Sequence, residues 1–361
     1  MDEILPMENK KTISRLKNSS WPEHGLESMP NCPVCGSSQR QTIYDNLVDT
    51  VFYCAPGTWS LHECKECGCA YLDPRPTQDT IHLAYSQYYT HTPPKKKDIQ
   101  NLGSLWRLRR SMANGYKNWR FGTNLQPANR LGIPAALIVP KLRHQLEKSF
   151  RGLHCPKLGA RLLDVGSGNG GFLELAQSIG WDVAGVDPDP VAVDTTVQRG
   201  LDVRHGGVEA FADMPERFDV ITMSHVIEHV HDPHQTLQTI YRLLKPGGFL
   251  WLNTPNIHSF GHEYYGQNWR GLEPPRHLIL FNLEAISTLL KNVGYSYVVN
   301  KSTNQNFTNM AVKSEALSKG IDPYSISKVN LHHRLTGTLM NIRTRFLPHR
   351  TEFLTLKAFK S

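Results

Sequence analysis

Leu162-Leu163-Asp164-Val165-Gly166-Ser167-Gly168-Asn169-Gly170-Gly171 runs a short apolar stretch into a turn made of small residues. Glycines there let the backbone bend sharply and let a ligand come within contact distance. Gly166, Gly168 and Gly171 also satisfy G-x-G-x-x-G, which alone is a weak sign of a bound dinucleotide. Asp164, two residues ahead of the first glycine, would repel a pyrophosphate but suits the ammonium end of a methionine moiety. Asp187, in Val186-Asp187-Pro188 about 20 residues further on, is placed to accept hydrogen bonds from both hydroxyls of a ribose.

A second constellation is Cys32-Pro33-Val34-Cys35 with Cys64-Lys65-Glu66-Cys67, each pair followed by a glycine. Cys32, Cys35, Cys64 and Cys67 offer four thiolates at the spacing of a tetrahedral, closed structural zinc site. Cys54, His62 and Cys69 are alternative ligands. Seven cysteines, an odd number, with no apolar secretory segment at residue 1 onward, argue against a disulfide framework. The third constellation is His225-Val226-Ile227-Glu228-His229 at the expected end of a strand, where open α/β sheets bind ligands. If the chain turns helical there, His225, Glu228 and His229 face one way, fit either to hold a divalent cation or to do acid–base work, with His277 of Pro274-Pro275-Arg276-His277 as a further ligand or base.

The elements that must hold these groups are legible from residue 158 onward as short apolar runs alternating with helical ones. Strands are expected at 161–165, 182–186, 202–205, 218–223, 249–254, 296–301 and 351–359, and helices at 170–179, 191–199, 233–244 and 283–292. Such a series specifies an α/β fold, a mainly parallel Rossmann-like sheet with its last strand antiparallel and helices on both faces. Residues 307–350 interrupt it as a helical insertion. Upstream, the expected layout is a flexible leader (1–28), a zinc-ribbon-like module (29–93), a basic helical linker (94–154) with a hinge at Pro93-Pro94, and a catalytic domain (155–361).

Between Lys95 and Arg151 there are 13 Lys/Arg against two acids, although the whole chain carries only +8. That segment suits an anionic partner, and Trp106, Leu108, Trp119 and Phe121 among Arg107, Arg109, Arg110 and Arg120 suit an interfacial helix. No apolar run approaches the roughly 18 residues of a membrane span, so a cytoplasmic protein, peripheral at the inner membrane face, is expected.

Taken together, the glycine turn, Gly185-Val186-Asp187, Phe218-Asp219-Val220-Ile221 to His229, and Leu243-Leu244-Lys245-Pro246-Gly247-Gly248 resemble the motifs of the class I S-adenosylmethionine-dependent methyltransferases over about residues 158–300. The resemblance implies that Asp164, Gly166, Ser167, Gly168, Gly170, Asp187, Pro188 and His225 hold the cofactor, with Val208 and Glu209 near its adenine. A cysteine ribbon followed by Tyr71-Leu72-Asp73-Pro74-Arg75-Pro76 and a transferase is similar to bacterial enzymes of polysaccharide and natural-product pathways, many of which methylate sugars. Quinone and small-RNA O-methyltransferases hold a divalent cation with E-x-x-E-H, whereas the first position here is His225. The expected substrate is a small hydroxylated acceptor, a sugar on a nucleotide or lipid phosphate. His229 or His277 serves as base, and Tyr264, Tyr265, Trp269, Arg270 and Arg276 line the pocket as stacking faces and phosphate forks. Two alternatives stand beside it: an RNA methyltransferase using the ribbon and basic arm, and a non-catalytic cofactor-binding zinc scaffold.

Overall fold

The computed structural model describes residues 12–86, 103–302, 307–325 and 329–361. The expected hinge at Pro93-Pro94, Lys95-Lys96-Lys97 and the first part of the leader lie outside these residues. The strands of the two larger sheets are, in chain order, β1 (Arg40–Leu47), β2 (Trp59–Cys64), β3 (Ala70–Leu72), β4 (Arg161–Val165), β5 (Asp182–Asp187), β6 (Asp202–His205), β7 (Phe218–Ser224), β8 (Leu244–Pro255), β9 (Ile279–Leu280), β10 (Tyr297–Asn300) and β11 (Phe353–Phe359). The helices are α1 (Ser104–Phe121), α2 (Gly132–Ile138), α3 (Pro140–Glu147), α4 (Gly171–Gln177), α5 (Pro190–Val197), α6 (Pro233–Leu243), α7 (Phe260–Tyr265), α8 (Leu283–Val293), α9 (Phe307–Ser318) and α10 (Leu331–Phe346).

The central sheet has seven strands in the order β10-β11-β8-β7-β4-β5-β6. β4 pairs in parallel with β5, and β5 with β6, whereas β10 and β11 are antiparallel. This is the Rossmann-like methyltransferase sheet, mainly parallel with an antiparallel final strand. Its composition follows from burial. β4 has four consecutive buried residues, as a strand covered on both faces requires, and β11 alternates buried and half-buried positions. A separate four-stranded sheet runs β9-β3-β2-β1, and all its pairings are antiparallel.

The chain divides into two compact units. One takes its described residues from 89–222 and 242–251; the other takes them from 1–88, 223–241 and 252–361. In the first, Leu162, Leu173, Val183, Val203 and Val220 form the core under the glycine turn, and Phe121 stacks on Phe150 at 3.7 Å. Phe121 is therefore a core residue and not part of an interfacial face, whereas Trp106, Leu108 and Trp119 are exposed. No helix among the described residues is long and apolar enough to cross a membrane.

In the second unit Trp59, Leu61 and Leu72 pack with Ile257, Trp269, Leu272 and Leu280. The cysteine-bearing strands share one core with 252–361, and β9, reached only after residue 278, completes their sheet. The insertion expected at 307–350 contains α9 and α10, which join Phe307, Ala311 and Met340 to Phe260 of α7.

Candidate functional site

In the first unit, β4 delivers Asp164 fully buried, and the chain then turns through Gly166, Gly168 and Gly170, all at positive φ. A β-carbon on Gly170 would fall 2.7 Å from the Thr196 side chain, so this turn excludes side chains by space as well as by conformation. Asp164 Oδ1 accepts from Arg151 Nη1 at 2.5 Å and from Thr222 Oγ1 at 2.6 Å. Its Oδ2 is buried with no hydrogen-bond partner, and so is Oγ of Ser167. Burial pushes the Asp164 carboxyl above its ordinary range, with Arg151 and Thr222 pulling the other way.

Asp187 closes β5, 7% exposed; its Oδ2 accepts from the Gly168 amide at 2.7 Å and its Oδ1 from the Asp189 amide at 3.0 Å. One hydrogen bond thus ties the second carboxylate to the glycine turn. Burial pushes Asp187 up as well, opposed by those amides. Pro188 is exposed, Val208 is buried in the turn Val208–Phe211, and Glu209 is exposed beside it. Two orphaned polar atoms at a glycine-rich bend, and a carboxylate at the end of the next strand, fit a ligand that brings an ammonium group and a ribose.

Arg151 is the member of this cluster that sequence reasoning did not single out. It lies 13 residues before Asp164, in a left-handed turn (φ 48°) after the basic helices, with its guanidinium 3.8 Å from the Phe172 ring centre. Among many arginines of a basic segment, nothing in its spacing sets it apart.

In the second unit the expected trio is rearranged. His225 has φ 56° and precedes a 3-10 turn at Ile227–His229, so His225, Glu228 and His229 do not share a helical face. His225 packs edge-on against Phe353, with its Nδ1 3.4 Å from Glu228 Oε1. The ligand atoms that lie within 4.8 Å of one another belong instead to Glu228, His229 and His277. His229 Nδ1 donates to the Arg276 carbonyl at 2.8 Å, with the Tyr85 hydroxyl at 3.0 Å, and His277 Nδ1 donates to the Gly271 carbonyl at 2.7 Å. These carbonyls fix both tautomers with the lone pair on Nε2. Burial pushes His277 down to about 4, so it is neutral at ordinary pH and a weak base. Glu228 is fully buried, its Oε2 accepting from Thr254 at 2.9 Å. Burial pushes it up, but the surrounding imidazoles, His225 first, outweigh that and hold it at about 2.

The expected phosphate forks are already occupied. Arg276 is 0% exposed; Nη2 and Nη1 donate to Asp49 at 2.6 and 3.1 Å, Nη1 to the Ala84 carbonyl at 2.8 Å, and Nε to Glu273 at 3.1 Å. Arg270 is bonded to Glu273 and to the Tyr324 hydroxyl. Trp269 is 1% exposed, its indole N–H donating to Glu352 at 3.0 Å, and is a core residue. Tyr264 is exposed and Tyr265 half-buried.

The cysteine knuckles fold alike: the Gly36 amide donates to the Cys32 carbonyl and the Gly68 amide to the Cys64 carbonyl, both at 2.9 Å. The sulfurs of Cys32, Cys35, Cys64 and Cys67 all lie within 4.8 Å of one another, with Cys32 to Cys67 at 3.7 Å and Cys35 to Cys64 at 3.5 Å. A tetrahedron with metal–sulfur bonds of 2.3 Å has edges of about 3.8 Å, so the set fits zinc. Cys69 sits alongside, 3.2 Å from Cys67, whereas Cys54 donates to the Ala84 carbonyl and His62 bonds Thr42.

Residues 139–300 match the family model described as a methyltransferase domain. The ubiquinone biosynthesis O-methyltransferase of Pseudomonas entomophila is 38% identical over 105 residues, which is 27% of this chain and 45% of that protein. The protein of that name from Ruegeria pomeroyi is 40% identical over 111 residues, 29% of this chain and 45% of its own. The chain thus spans less than half the length of these curated relatives. A solved SAM-dependent methyltransferase from Archaeoglobus fulgidus shares 21% identity at a TM-score of 0.42, covering 68% of this chain and 98% of that one.

Replacing Arg151 by Ala removes a cation that opposes burial at Asp164, so the carboxyl titrates at higher pH. Calorimetry with S-adenosylhomocysteine at two pH values should show the variant losing more affinity than wild type at the lower one, because a protonated carboxyl no longer pairs with the ligand's ammonium group. Tighter binding by the variant at both pH values would mean that Arg151 competes with the ligand. The stretch 139–300 is, on its motifs, its sheet and its family match, a class I S-adenosylmethionine-dependent methyltransferase domain.

Proposed function

We propose that the chain is an S-adenosylmethionine-dependent O-methyltransferase acting on a small hydroxylated acceptor, a sugar carried on a nucleotide or lipid phosphate. The observation that carries the reading is His229 with its tautomer fixed by a backbone carbonyl, beside a buried carboxylate and a neutral imidazole. The cofactor, when bound, supplies an electrophilic methyl group on a sulfonium. Asp164, Ser167 and the glycine turn would hold its amino-acid end and Asp187 its ribose. His229 takes the acceptor hydroxyl's proton at Nε2. Glu228 favours the imidazolium that results, and His277, too weak a base itself, orients its neighbour.

The relatives' names support O-methylation, and the basic segment supports an anionic acceptor. Within 103–150, leaving aside Arg151, there are nine Lys/Arg and one acid, a source of phosphate contacts that the paired Arg270 and Arg276 cannot offer. Glu228, His229 and His277 also suit a divalent cation, replacing the trio with His225, since each offers one ligand atom to a common centre. The four clustered cysteines hold a structural zinc in this reading, with no open position for catalysis.

Labelled methyl transfer into separated nucleotide sugars, lipid-linked saccharides, hydroxylated aromatics and RNA tests the acceptor. Label in either of the first two supports the proposal. Label only in RNA would replace it with the RNA enzyme, and cofactor binding without label anywhere would favour the non-catalytic scaffold. His229→Ala should lower kcat by about 10²- to 10⁴-fold with cofactor affinity nearly unchanged. Loss of turnover on chelation, restored by magnesium or manganese, would assign the histidines to a metal instead. Elemental analysis should find one zinc per chain, lost in Cys35→Ser; no zinc in protein purified under reducing conditions would contradict the ribbon.

A further inference from the structure

α10 is amphipathic the wrong way round. Its buried face is His333, Gly337, Met340 and Thr344, which lie against α9: a β-carbon on Gly337 would fall 2.0 Å from Thr308 Oγ1, and His333 pairs with Glu315. Its apolar side chains point to solvent. Leu331 is 71% exposed, Leu335 63%, Leu339 55%, Ile342 50% and Phe346 80%. At about 100° per residue these five fall within an arc of roughly 80°, a continuous stripe along about 24 Å of helix. Isolated exposed leucines need no explanation, but a stripe that includes every Leu and Ile of the helix does.

The charges around the stripe choose its occupant. From Val329 to Thr351 the sequence has four arginines, three histidines and no acidic residue. Arg334 and Arg345 are exposed along one border of the stripe, and His332 is exposed along the other. A second copy of the same helix would meet this stripe with the same cations, without a carboxylate to answer them. An anionic lipid surface answers both features: acyl chains receive the leucines while phosphates neutralise the arginines. We propose that α10 is a monotopic anchor that lies in the interface of an anionic bilayer through Leu331, Leu335, Leu339, Ile342 and Phe346. It gives a role to an insertion that the transferase sheet does not need. The proposal does not depend on the acceptor or on methyl transfer, because its test reads binding and not turnover.

The test is flotation of the full chain with phosphatidylcholine vesicles, with and without phosphatidylglycerol. Wild type should float with the anionic vesicles and dissociate as salt rises. Leu335→Glu with Ile342→Glu should weaken that binding by about tenfold or more, leaving cofactor affinity as in wild type. Arg334→Gln with Arg345→Gln, which leaves the apolar stripe intact, should weaken binding to anionic vesicles alone. Undiminished flotation of the Glu variant would overturn the proposal and give any membrane contact to α1. A concentration-dependent dimer in sedimentation, abolished by the same variant in protein that ignores vesicles, would overturn it in favour of a second copy.

Discussion

A carboxylate taken out of water must find partners for both its oxygens, and Asp164 finds them for only one. Arg151 and Thr222 both bond Oδ1, while Oδ2 is left buried and bare. An unsatisfied buried polar atom costs about 1–3 kcal/mol, and more when it is charged. The domain bears that cost toward the carboxyl end of a strand with four consecutive buried residues, beside a turn in which every second residue is glycine. The Ser167 hydroxyl, three residues on, is bare as well. A ligand with a cationic, hydrogen-bonding end would relieve both at once. Arg151 opposes the effect of burial on that carboxyl.

The second unit solves a different problem, that of holding histidines still. Asp49, Arg276, Glu273 and Arg270 form a chain of buried ion pairs. Six N–H donors fasten Asp49 alone, since the Val51, Phe52, Cys54 and Ala55 amides bond the carboxylate that also takes two nitrogens of Arg276. Removing one partner from such a network leaves an uncompensated charge and costs about 3–5 kcal/mol. The backbone carbonyl of the same Arg276 receives the proton of His229 Nδ1. The residue whose side chain is fastened to Asp49 thus also presents the carbonyl that accepts from His229 Nδ1. That is a structural use of Arg276, where its sequence had suggested a phosphate fork.

What the sequence discloses here is what depends on local pattern. β4 and β6 fall at the residues expected from their apolar runs, and the glycine turn, Asp164, Asp187 and the cysteine knuckles take the local conformations their spacing implies. What it hides depends on distant pairing. β9 completes a sheet begun some 200 residues earlier, so the ribbon and the later chain share a core that no boundary signal announces. Arg151 is one cation among many until Asp164 is opposite it. His225 breaks the helical reading because it adopts a left-handed conformation, and a pattern rule assumes ordinary backbone. Trp269 and Arg276 look like surface recognition groups by type, yet Glu352 and Asp49 draw them inside.

The most direct measurement of the central claim is calorimetric titration of the purified wild-type chain with S-adenosylhomocysteine and, separately, with a nicotinamide dinucleotide. The account predicts saturable heat at one site per chain with the first and none with the second. Heat from the dinucleotide and none from the sulfur nucleoside would contradict it, since a pyrophosphate would then be seated beside a bare carboxylate oxygen.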